Sequence, residues 1–155
     1  MANPLTLFVP IKPDDATQKS ARDIYQLFPL LVGPGLNKTA NVHYARLVLL
    51  HESPFDEKTP VHAIILITEF DKDMETYLDV FWKNGVGIKD AFIALYGLMV
   101  DELKDPDDPK DPKDFDFPLF VKFISDKNLS KDTTKNYSAY PQLVTEIWKA
   151  YPPKQ

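Results

Sequence analysis

The sequence predicts an α+β domain in which helices cover one face of an antiparallel sheet, with the element order β-α-β-β-α-β. Three observations carry this. Segments 42–50 and 62–70 are rich in β-branched and large apolar residues, too short to span a membrane, and joined by a polar stretch containing Pro54 and Pro60. That is the pattern of an antiparallel hairpin. A shorter apolar run, 5–11, precedes the hairpin, and stripes of helical period stand before and after it: Ile24, Leu27 and Phe28, then Tyr77, Leu78 and Phe81.

In chain order, residues 5–11 form the first strand, and Pro10 places its end at a sheet margin or bulge because proline cannot donate to a ladder. Asp14 and Asp15 offer N-caps for a helix reaching about Phe28, which Pro29 and the Gly33-Pro34-Gly35 turn terminate. After the hairpin, Asp71 or Asp73 caps the second helix. Gly85 and Gly87 break it, and Ile88, Phe92, Leu95 and Tyr96 restart the helical period.

Composition then changes abruptly. Over 105–118, repeated prolines forbid a helix and the density of aspartate forbids burial, so an exposed loop of extended character follows. A short helix over 119–124, a strand over 137–140 and a terminal helix carrying Val144, Ile147 and Trp148 complete the chain. The whole is a ferredoxin-like plan with extra helices inserted before the last strand.

With 155 residues, the chain fits a single α+β domain over 1–155, including the exposed Asp/Pro-rich loop at 105–118. Its 44% apolar and 12% aromatic content calls for a folded core. A net charge of −5, with 18 basic residues scattered rather than clustered, argues against nucleic acid as a partner. The absence of cysteine excludes disulfides and thiolate chemistry and suits a reducing compartment. No stretch approaches the length of a membrane span, and residues 1–4 do not open a leader, so a soluble, cytoplasmic protein without a membrane partner is expected.

The first strand, the hairpin 42–70 and the helix after Asp73 resemble the dimeric α+β barrel superfamily, which includes small monooxygenases, dye-decolourising peroxidases and chlorite dismutases. Segments 42–46 and 69–71 are also similar to uncharacterised bacterial proteins of that type. The resemblance stops short of the haem enzymes. The Gly-x-x-Asp-Gly loop of the dye-decolourising peroxidases is missing, and His43, His51 and His62 are the only histidines, so none follows that could serve as a proximal ligand. No cofactor is expected.

Metal sites fare no better. His51 opposite His62, with Glu52, Asp56 or Glu57 beside them, would make a possible ligand set, but the spacing is no known signature and a structural role is the default. The 105–118 loop lacks the arrangement of an EF-hand. Nucleotide and nucleophile motifs are absent as well. No metal site is expected, and no catalytic residue is assigned.

What remains is the second face of the sheet. With His51 and His62 paired, Tyr44, Arg46 and Val48 share a face with Ile65, Ile67 and Glu69; Tyr44 lies opposite Glu69 and Arg46 diagonal to it. Tyr44, Arg46 and Glu69, with Tyr140 from the last strand, are the candidate ligand-binding residues. Arg46 and Glu69 have two readings: a structural ion pair, or the polar part of an apolar cavity that binds a small polar-ended ligand. Helices protect only one side of such a sheet, so a homodimer is expected to cover the other. The first functional reading is a small-molecule-binding or dimeric interaction module. The alternative is an oxidoreductase resembling the small monooxygenases; an enclosed cavity at Arg46 favours it, and a flat apolar sheet surface favours the module.

Overall fold

The computed structural model describes residues 3–39, 41–84, 87–109, 111, 114–132, 142–150 and 152. Among these residues it shows an α+β architecture: a three-stranded antiparallel sheet and five α-helices. The strand predicted over 137–140, and Tyr140 with it, lies outside the described residues.

Aspartates open three of the helices. Asp14 accepts from the amide and hydroxyl of Thr17 at 2.9 and 2.8 Å, and Asp73 does the same for Thr76 at 2.9 and 2.7 Å. Helices α1 (Asp15–Thr39) and α2 (Met74–Asn84) therefore both begin at an Asp-x-x-Thr cap. Those bonds hold both carboxyls below the ordinary value. Asp116 caps α4 (Phe117–Lys127) through the Leu119 amide at 3.0 Å, with Pro118 in the first turn, where its missing N–H costs nothing. This helix is longer at both ends than the predicted 119–124.

The first helix corrects the sequence reading. It does not stop near Phe28 but runs on through Pro29, Gly33, Pro34 and Gly35 to Thr39. Both prolines are exposed, while Phe28, Val32 and Gly35 are buried beneath them. Burial of that stripe offsets the two hydrogen bonds that the prolines remove.

Strand β1 (Asn3–Pro10) and β2 (Val42–His51) flank β3 (Val61–Phe70), and both run antiparallel to it. Leu5, Leu7 and Val9 of β1, Leu47 of β2, and Ile64 and Leu66 of β3 point into the core together with Tyr77, Leu78 and Phe81 of α2. Helix α3 (Ile88–Leu98) adds Ile88, Phe92, Leu95 and Tyr96, as its sequence period predicted. Gly87 precedes it with φ +80, and a Cβ there would lie 2.6 Å from the Leu31 carbonyl oxygen, so only glycine lets α3 approach α1 this closely. A short helix, α5 (Val144–Ala150), is the last helix among the described residues.

The two sheet edges are treated differently. The outer edge of β1 is covered: the Thr6 amide donates to the Asn128 side chain (3.0 Å), its carbonyl accepts from the Leu129 amide (2.8 Å), and Pro10 accepts from the Val100 amide (3.0 Å). The outer edge of β2 has no hydrogen-bond partner among the described residues.

The described residues of the 105–118 segment are less exposed than its composition implies. Phe115 is buried against Tyr96 and Phe123, with ring centroids 4.4 and 6.3 Å away. Asp108 accepts from the Tyr96 hydroxyl at 3.0 Å, and burial together with that carboxylate pushes the Tyr96 phenol up. One aromatic anchor is enough to bind a charged segment to the core.

Lysines fasten the same region. Lys12 and Lys104 pair with Asp101 at 3.0 and 2.8 Å, and Lys122 pairs with Asp105 at 2.6 Å. The lysine hydrogen bonds hold both carboxyls below 3.8. A carboxyl depressed in the folded state adds stability that is present above its unfolded value and lost as pH falls through its folded one. Thermal unfolding followed from neutral pH downward is therefore expected to hold and then decline below about pH 4. A Lys122→Met variant should lose part of that dependence, and high salt should weaken it because the groups are exposed.

Candidate functional site on the second sheet face

The register of β3 with its two neighbours lays out the second face as a grid. Phe8, Ile65 and Val48 stand side by side across the three strands, and Pro10, Ala63 and Leu50 form the next row. On the other side of the Phe8 row come Thr6, Ile67 and Arg46, then Pro4, Glu69 and Tyr44. Phe8, Val48, Leu50, Ile65 and Ile67 are all half-buried, and none belongs to the core cluster or packs against it. The helices that contribute to that cluster, α1 to α4, meet the strands through their other face. Period-two alternation of large apolar residues on both sides of β3 produces this two-faced sheet.

The sequence-derived register holds through the body of the hairpin, with Tyr44 opposite Glu69 and Arg46 opposite Ile67. It fails at the ends, where it shifts by one residue. His51 pairs with Val61, which leaves His62 exposed and the two histidines out of opposition. His51 is buried, its Nδ1 2.9 Å from the Thr59 carbonyl oxygen. Among the described residues no group of three His, Asp or Glu side chains is placed to hold a metal.

Tyr44 and Arg46 are exposed and Glu69 is half-buried. The structural ion pair, one of the two readings of Arg46 and Glu69, is not formed: among the described residues neither side chain has a salt bridge within 4.0 Å or a hydrogen bond. Both still act on Tyr44. Its phenol is pushed up by burial first and Glu69 second, while Arg46 opposes the shift. The diagonal placement on neighbouring strands thus brings a cation, a carboxylate and a phenol together without satisfying any of them.

Space around Arg46 is open. It lines a groove of about 510 Å³ with Arg22, Tyr25, His51 and Glu57, and another of about 370 Å³ with Tyr25, Pro29 and Ala45, both between α1 and β2. The small void of about 20 Å³ lined by Phe28, Leu66, Thr68 and Tyr77 is apolar and holds at most one water. Neither groove encloses Arg46.

Sequence reasoning missed one polar cluster. Asp71 is buried just beyond β3; its Oδ1 lies 3.0 Å from His43 Nε2, and its Oδ2 accepts from the Val144 amide at 2.8 Å. His43 is the extra residue where the register shifts between Val42 and Tyr44, which turns its side chain toward Asp71. The cluster fastens the start of α5 to the sheet, so Asp71 does not cap α2 and Asp73 alone does. Only the contact with Val144, between residues far apart in sequence, reveals its role.

No family model, curated protein or solved structure matches the chain.

Proposed function

We propose that the chain is a self-associating interaction module whose second sheet face closes against a copy of itself. The observation that supports this is the apolar block of Phe8, Val48, Leu50, Ile65 and Ile67, which lies outside the core on a face that α1 to α4 leave uncovered. Contiguous apolar surface of that kind is the usual mark of an association site. An apolar face flanked by open grooves suits a protein partner better than a substrate, so the module reading is preferred to an oxidoreductase. The cysteine-free composition fits a cytoplasmic setting.

The same reading extends to the fold. The strand order β1-β3-β2 supports reading the sheet as the first part of a ferredoxin-like plan, and the contact of residues 128–130 with the outer edge of β1 supports a fourth strand on that side. Closure of such sheets in pairs is also what the likeness to the dimeric α+β barrel superfamily implies.

Sedimentation velocity at micromolar concentration is the test. The expected result is a species of twice 17.7 kDa that becomes monomeric in an Ile67→Glu variant with an unchanged circular dichroism spectrum. A 17.7 kDa wild-type species overturns the proposal. So does a dimer that survives both Ile67→Glu and Phe8→Glu, which would move association to the unpaired β2 edge.

A further inference from the structure

We infer that Arg46 and Glu69 pair between two copies of the chain, each arginine with the other copy's glutamate, and so fix the register of the dimer. This rests on the reading of the second sheet face as a self-association surface. Arg46 and Glu69 sit on that face, one row apart on adjacent strands, and neither finds a partner in its own chain among the described residues. A half-buried carboxylate left unpaired beside an apolar block is unfavourable, and covering it further makes it more so. Something must meet it when the face closes.

A two-fold axis does this for both charges at once. In an isologous interface, any contact of residue i with residue j of the copy is repeated as j with i. A rotation that sets Arg46 over the copy's Glu69 therefore sets Glu69 under the copy's Arg46. A small ligand with one polar end would satisfy only one of the two groups. The chain carries a net charge of −5, so two copies repel in general, and local complementarity at the contact is what lets them close. Tyr44 lies opposite Glu69 on the same row and adds a hydroxyl without a hydrogen-bond partner among the described residues.

Charge reversal tests the pairing. Arg46→Glu makes position 46 acidic beside Glu69, and Glu69→Arg makes position 69 basic beside Arg46, so homodimers of either variant face like charges in both reciprocal contacts. Each variant alone should self-associate at least about tenfold more weakly than wild type. Mixed in equal amounts they should form a heterodimer, because both cross-chain contacts then join opposite charges. Sedimentation velocity of each variant and of the mixture, with one variant carrying a fluorophore, reads the result.

The failures are distinguishable. A monomeric wild type removes the self-association reading itself. A dimeric wild type whose reversal variants also stay dimeric, or whose mixture yields no heterodimer, leaves the dimer standing and overturns the reciprocal pairing. Should a reversal variant fail to fold, Arg46→Gln, Glu69→Gln and their combination replace it. The combined variant should then dimerise no more weakly than either single one, whereas additive losses would overturn the pairing.

Discussion

Phe120→Ala is expected to lower the unfolding free energy by about 4 kcal/mol, the largest effect of any single truncation considered. Phe120 is 1% exposed and stands at the junction of three helices. Its ring lies 5.3 Å from Trp82 of α2 and 5.5 Å, edge-on, from Phe92 of α3. Those neighbours belong to two separate helices that also pack on the sheet, so neither is free to collapse into the space left behind. The cost therefore includes a cavity as well as lost transfer energy. Urea denaturation of both proteins measures it, and the thermal midpoint should fall by about 10 °C. A loss under about 1 kcal/mol would show that α4 contributes little to the core.

Gln18→Leu is the second large effect, at about 3 kcal/mol. Gln18 lies on the inward side of α1, and its amide pairs with the backbone of Val61 at the start of β3. Nε2 donates to the Val61 carbonyl at 2.8 Å and to the Lys12 carbonyl at 3.2 Å, while Oε1 accepts from the Val61 amide at 2.7 Å. In effect the side chain continues the sheet by one residue. Leucine keeps most of the volume, so what is lost is the hydrogen bonding: buried backbone groups are left unmet. Gln18→Glu is more informative still. Its carboxylate accepts from the Val61 amide but faces two carbonyl oxygens with no proton to offer, so this variant should be less stable than Gln18→Leu at neutral pH and regain stability as the carboxyl protonates. Chemical denaturation at pH 7 and about pH 5 separates the two effects. If Gln18→Leu unfolds as wild type does, α1 is not clasped to β3 through this residue.

Much of the fold was legible because it rests on local rules. Short runs of β-branched and large apolar residues identified the hairpin strands, and helical period identified Tyr77, Leu78 and Phe81 of α2 and Ile88, Phe92, Leu95 and Tyr96 of α3, all seven of these helix residues buried. The hairpin register also followed, since a one-residue slip would have turned Ile64 and Leu66 out of the core. Elsewhere tertiary contacts overrode local signals. Pro29 and Pro34 read as stops, yet burial of Phe28 and Val32 carries α1 past them. The density of aspartate around Phe115 read as solvent, yet the ring is held by Tyr96 and Phe123. The candidate site was legible in its geometry, with Tyr44, Arg46 and Glu69 on one face, because strand parity sets that placement. The missing Arg46–Glu69 bond was not legible, since parity brings side chains to one face and leaves their rotamers undetermined.

The claim that the second sheet face is where two copies meet is tested most directly by cross-linking. The chain contains no cysteine, so a single introduced thiol reports without background. Ile67→Cys places the thiol at the centre of the proposed contact, and Leu30→Cys places it on the outward side of α1, where the side chain is 74% exposed. With a short bis-maleimide, the account predicts a covalent dimer from Ile67→Cys and little from Leu30→Cys. A dimer from Leu30→Cys and none from Ile67→Cys would contradict it.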